Sequence, residues 1–270
     1  MSELLHNASA ASLNNAAFQV LLRFARDVAG LRPEAWQLVD TGPFLALHGT
    51  GSRPEVTLIL EARAGASDED IGSIRQRFGA SALIFLTATP DGGSGLHERL
   101  TSLGFTRHDT PAMAATMDTL PVDEPPPPVL RVTTVDTDEA HAILTAIQIE
   151  TLGKDFAPRA AMKRLFGLDQ NSPVGHLLGW IGDRPVASAT LMCIGEPASL
   201  WGIATLPDVR GQGIGRAMTL EACRWARSRG REVVSLYATP MGMPVYSRLG
   251  FRSCGTLAMY TAAPTEACSS

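Results

Sequence analysis

The chain has 270 residues, 45% of them hydrophobic and 19% charged, with a formal net charge of −4. That length buries a sizeable core in one large domain or two modest ones, and the balance excludes a disordered chain. It leaves no basic field for nucleic acid or an anionic membrane, and no apolar run reaches the roughly 18 residues that cross a bilayer.

In chain order, periodicity predicts a strand over 56–62, a helix over 68–78, a strand over 82–86, a helix over 97–103 and then final strands. The sharpest composition break follows, Asp123-Glu-Pro-Pro-Pro-Pro128. Four prolines supply no amide donors and favour a stiff spacer, so the expected division is 1–122, a linker at 123–128, 129–262 and a tail at 263–270. The second half reads as a strand over 129–135, a helix over 138–151 and a second helix over 157–168. Strands over 176–181 and 186–193 join through a hairpin turn at 182–185, and another strand covers 199–205. A helix over 214–229 has Ile214, Met218, Ala222 and Trp225 on one face and ends at Gly230. A strand over 233–237, a short helix over 244–248 and strands near 251 and 256–260 close the unit. The expected class is α/β, a mixed sheet flanked by helices.

The two halves are related. Leu86-Thr-Ala-Thr-Pro90 recurs as Leu236-Tyr-Ala-Thr-Pro240, and Leu103-Gly-Phe105 as Leu249-Gly-Phe251. Thr110, Ala112 and Met113 recur as Thr256, Ala258 and Met259. Three matches in order indicate a tandem duplication, with four extra residues in the first copy that fit the flexible segment Asp91-Gly-Gly-Ser-Gly95.

The chemistry-bearing segment is Leu206-Pro-Asp-Val-Arg210-Gly-Gln-Gly-Ile-Gly-Arg216, between a strand and a helix. Three alternating glycines let successive amides converge on an anion, and the following helix adds its positive end. Arg210 and Arg216 add full charges, so a diphosphate suits the site. The dinucleotide pattern GxGxxG fails because Arg216 stands at its third glycine, and the Walker pattern fails for want of a lysine.

Arg210-Gly-Gln-Gly-Ile-Gly215 resembles the acetyl-CoA pyrophosphate loop of the GNAT N-acetyltransferases. Val245-Tyr-Ser-Arg-Leu-Gly-Phe251 is similar to that family's second motif, and the order of elements over 129–262 matches its fold. The resemblance implies two tandem GNAT-like domains and acyl transfer from acetyl-CoA, as co-substrate, to an amine in a ternary complex. It implies that the backbone of Arg210, Gly211, Gln212, Gly213, Ile214, Gly215 and Arg216 holds the CoA pyrophosphate. The strand at Ile203, Ala204 and Thr205 would splay from its neighbour, pair with the pantetheine arm and polarise the thioester. Tyr246 would protonate the departing thiolate, and Glu196 stands near the register of the family's general base. Glu150 and Asp155 are alternative bases. His176 reads as a satisfied or exposed residue, and Met241, Met243 and Met259 as core filling.

The first copy departs from this pattern. At the loop position it has Glu61-Ala-Arg-Ala-Gly-Ala-Ser-Asp-Glu-Asp70, whose carboxylates repel a diphosphate, and Leu100 stands where Tyr246 would be. One CoA site per chain is therefore expected. Cys193, Cys223, Cys254 and Cys268 form no CxxC pair and have no histidine at metal spacing, so they read as reduced structural thiols and no metal is expected. The opening Met1-Ser-Glu-Leu-Leu-His6 lacks an export signal's basic flank, and only Lys154 and Lys163 of 23 basic residues are lysines. A cytoplasmic, bacterial protein is expected, a monomer or homodimer whose acceptor is a small-molecule or protein amine. The competing readings are a non-catalytic acyl-CoA-binding regulatory module, a longer acyl donor and a non-amine acceptor.

Overall fold

A computed structural model of the chain describes residues 9–31, 33–49, 56–62, 66–78, 82–87, 95–153, 168 and 171–262. In order, the elements are α1 (Ala10–Leu31), β1 (Trp36–Asp40), β2 (Phe44–Gly49), β3 (Val56–Ala62), α2 (Asp68–Arg77), β4 (Ala82–Thr87), α3 (Leu96–Ser102) and β5 (Phe105–Thr116). There follow β6 (Leu130–Thr134), α4 (Asp138–Leu152), β7 (Val174–Ile181), β8 (Arg184–Met192), β9 (Ala198–Thr205), α5 (Ile214–Ser228), β10 (Val233–Tyr237), α6 (Met243–Leu249) and β11 (Arg252–Ala262). The fold is mixed α/β, with strands flanked by helices, as expected.

The chain divides into two compact units with interleaved bounds. One contains Ala112–Cys254 and the chain up to Val20; the other contains Leu21–Pro111 and the chain from Gly255. The proline-rich segment 123–128 lies inside the first unit. There Arg216 and Arg227 of α5 pair with Glu124 and Asp123 at 2.6 and 2.8 Å, and Arg224 donates to the Val122 and Glu124 carbonyls. The helix thus holds the segment by the carboxylates and carbonyls of Val122, Asp123 and Glu124, immediately before the prolines.

In the first unit the strands run β5-β10-β9-β8-β7-β6. Only β9 and β10 are parallel, joined through α5. Helix α5 is amphipathic and buries Ile214, Ala217, Met218, Ala222 and Ala226, the spacing of one helical face. Trp225 is half-buried and packs over Gly175, where an added Cβ would come within 2.6 Å of its ring. Helix α4 starts at its cap Thr137, whose Oγ1 accepts from the Ala140 amide at 3.2 Å, and buries Leu144 and Ile147. In the second unit the order is β1-β2-β3-β4-β11, with β3 and β4 parallel around α2.

Several expectations need correction. The two closing strands near 251 and 256–260 are one strand, β11. The 22-residue helix α1 and the β1–β2 hairpin have no counterpart in the sequence-based reading. Met241 and Met243 are 65% and 42% exposed rather than core filling, because they flank the start of α6 instead of its inner face. The expected helix over 157–168 and the segment 91–94 lie outside the described residues, Leu168 excepted. No helix among the described residues is long and apolar enough to cross a membrane.

Candidate active site

Strand β9 leads through a 3-10 turn (Pro207–Val209) into the glycine segment. Arg184 and Asp208 hold that turn to β8 by a forked pair at 2.5 and 3.1 Å. Gly211 and Gly213 take φ of +80° and +78°, a left-handed conformation that a side chain disfavours. Alternating hands turn successive amides toward one side, the geometry of an anion nest. Gly213 is also the N-cap of α5 and offers no side-chain cap, and no acidic residue lies in the first turn. The first amides of the helix lack intrahelical partners, and no acidic side chain of its own first turn offsets the positive end. Arg210 is exposed and donates through Nε to the Thr205 carbonyl at 3.0 Å. Arg216 pairs with Glu124, so the charge it brings is partly neutralised.

The N-terminus of α2 provides the contrast. Ser67 Oγ accepts from the Asp70 amide, Asp70 Oδ2 accepts from the Ser67 amide, and Asp68, Glu69 and Asp70 fill the first turn. The capping box takes the Ser67 and Asp70 amides, and the acidic first turn repels an anion.

Strands β9 and β10 pair only at Ala198–Val234, Ser199–Ser235 and Leu200–Leu236. On its other side β9 stays bonded to β8 as far as Thr205, so residues 201–205 of β9 part from β10 while remaining in the sheet. The Leu206 amide bonds the Val186 carbonyl at 2.9 Å. Antiparallel alternation and planar peptides therefore direct the backbone of Ala204 to β8, and the Ile203 carbonyl and the Thr205 N–H and carbonyl to the vacated side. A β-bulge against β8 covers Gly202, at φ +56°, and Ile203, within the stretch that has left β10.

Because β9 and β10 are parallel, their C-terminal ends lie at one end of the sheet. The glycine nest follows β9 there, and α6 with Tyr246 follows β10. Tyr246 is 9% exposed and packs edge-on to Phe251 at 5.9 Å. Burial pushes its phenol up to about 12, so the hydroxyl stays protonated and able to donate.

Glu196 is not brought to this site. It precedes β9, whose seven steps from Ala198 to Thr205 span roughly 23 Å. Its Oε1 accepts from the Glu232 amide at 3.4 Å and lies 3.9 Å from Arg231, tying it to the entry of β10. Burial raises its pKa. Glu150 is exposed on α4, near Arg184, and Asp155 lies outside the described residues. His176 is buried against Thr190, with Nδ1 and Oγ1 3.1 Å apart. Burial pushes the Cys193 and Cys254 thiols up to about 11 and Cys223 up to about 12, so they remain thiols rather than nucleophilic thiolates.

Two residues near the site escaped the sequence reading. Gln148 is fully buried on α4 and bonds the Gly202 carbonyl; its signal was an amide among Leu144, Ile147 and Leu152 on an apolar face. Glu124 reaches Arg216 from the proline-rich segment, 92 positions away, and had no local signal.

Residues 137–251 match the family model described as acetyltransferase (GNAT) family. A curated relative, glucosamine 6-phosphate N-acetyltransferase of Trypanosoma brucei brucei, is 38% identical over 47 residues. That stretch covers 17% of this chain and 32% of the relative. Among solved structures, a GCN5-related N-acetyltransferase from Kribbella flavida superposes with a TM-score of 0.68 at 21% identity, covering 88% of this chain and 95% of that one. A tandem GNAT protein from the clavulanic acid biosynthesis pathway gives 0.58 at 14% identity, covering 96% and 98%. These two likenesses show the fold.

Proposed function

We propose that the protein, whose residues 137–251 match the acetyltransferase (GNAT) family model, transfers an acetyl or other short acyl group from coenzyme A to an amine. One observation carries the reading: an uncapped helix end behind two left-handed glycines adjoins a strand edge that its neighbour has left. In this reading the amides of Gly211, Gln212, Gly213, Ile214, Gly215 and Arg216 hold the CoA diphosphate, with Arg210 adding charge. The Ile203 carbonyl and the Thr205 N–H pair with the amides of the pantetheine arm, the Thr205 carbonyl being held by Arg210. The attacking nitrogen bonds the thioester carbon, and the Ile203 N–H stabilises the oxyanion that develops. The C–S bond then breaks, its electron pair leaves on sulfur, and sulfur takes the Tyr246 proton. The surplus proton of the nitrogen restores Tyr246 through water. The curated relative's acceptor is an amine by its name, which supports this class for the chain. The acidic, capped end of α2 supports a single site per chain.

Calorimetric titration of acetyl-CoA into the full chain tests the reading. Saturation at one equivalent, followed by thiol release with an amine, is expected. A folded sample showing neither heat nor thermal stabilisation overturns it, and two equivalents per chain overturn the single site.

A further inference from the structure

The buried carbonyl of Gly202 is satisfied by side chains. Gln148 Nε2 donates to it at 3.2 Å and Ser188 Oγ at 3.0 Å, which together use both lone pairs. Gln148 Nε2 is also 3.3 Å from Thr190 Oγ1, and Thr190 Oγ1 is 3.1 Å from His176 Nδ1. Gln148, Ser188 and Thr190 are fully buried, and His176 is 3% exposed. A side chain at 202 would displace this contact: a Cβ there would lie 2.3 Å from Gln148 Nε2, at a left-handed φ of +56°.

The consequence follows from the peptide unit. A trans peptide is planar, so the Gly202 carbonyl and the Ile203 N–H point in opposite directions. Anchoring the oxygen on Gln148 and Ser188 therefore fixes where the Ile203 N–H is aimed. That amide stands just beyond the last β9–β10 pair, Leu200–Leu236, where no strand partner holds its orientation. A buried carbonyl must find partners somewhere, and α4 and β8 supply them within the stretch that has left β10.

We propose that Gln148 is a positioning residue that, through the Gly202–Ile203 peptide, sets the amide that receives the oxyanion. This rests on the proposed acyl transfer. It gives a reason for an amide to lie in the core, where an apolar side chain of the same length would avoid the cost of burial.

Gln148→Met keeps length and volume and removes the donor. Its kcat for acetyl transfer should fall roughly ten- to a hundredfold, the scale for losing the aim of one oxyanion donor. Its Kd for CoA should stay within about twofold, because the diphosphate is held at the nest. Ser188→Ala, removing the other bond, should lower kcat in the same sense and serves if Gln148→Met does not fold. Hydrogen exchange at residues 202–206 should quicken in both, with α5 unchanged. An unchanged kcat in a folded variant overturns the proposal, as does a rise in Kd that matches the loss in kcat. A parent without acyl transfer defeats the underlying reading instead; exchange at 202–206 then still tests the anchoring, and no change there overturns it.

Discussion

Met113 stands opposite Leu236 in the antiparallel pairing of β5 with β10, and Met259 stands opposite Leu86 where β11 meets β4. These are the residues of the repeated sequence blocks. Each copy's final strand is thus paired with the central strand that precedes the short helix of the other copy, which is why the units are interleaved.

A fragment of residues 127–270 should therefore not behave as a domain. It lacks Ala112–Thr116, which leaves one edge of β10 unpaired, and unpaired edges recruit other chains. Gel filtration and thermal melting should show association or a lost cooperative transition. A monomeric fragment melting like the full chain would mean that β5 is dispensable.

Substitutions in the nest should separate two kinds of glycine. Gly213→Ala places a side chain at φ +78°, costing about 1–2 kcal/mol, and should weaken acetyl-CoA binding roughly tenfold. Gly215→Ala meets only Thr205 Oγ1 at 3.5 Å, an ordinary contact, and should melt at or above the parent temperature. Arg210→Glu should weaken acetyl-CoA several-fold by setting a carboxylate beside the diphosphate. Calorimetry and melting curves on the three variants check these outcomes.

Tyr246→Phe should lower kcat by roughly 10²-fold or more while leaving CoA affinity near that of the parent. The acid form of Tyr246 is the neutral one, and its pKa of about 12 keeps it in that form as pH rises. A kcat profile should then show no alkaline loss from this group below about pH 11. A tyrosine-dependent limb near pH 8–9 would contradict the assignment.

Glu196→Gln should leave turnover within about twofold, since the residue sits at the far end of β9 from the nest. Burial raises its folded pKa above the unfolded value. Its stabilising contribution is therefore present below the unfolded pKa and lost as pH rises through the folded one. The variant should melt higher than the parent at pH 7–8, with the difference closing as pH falls through the carboxylate range. A large loss of kcat with unchanged folding would restore Glu196 as a base.

The glycine loop and the Tyr246 motif were readable in sequence because each is carried by neighbours within about a dozen positions, and the tandem repeat because its blocks recur in the same order. Local backbone needs fix such residues: left-handed glycines before a helix, an aromatic on a short helix, apolar residues at helical spacing. The order of the described elements from β6 to α6 was legible for the same reason. Glu196 shows the limit, since counting back along the chain ignores which end of a strand a residue occupies. The exchange of β5 and β11, the clasp of Glu124 on Arg216 and the bond from Gln148 to Gly202 were decided only by tertiary structure. Gln148 and Gly202 are 54 positions apart, and nothing local to either selects the other. They meet because burying α4 against β8 and β9 leaves one carbonyl without water, and that carbonyl takes the donors that packing puts within reach.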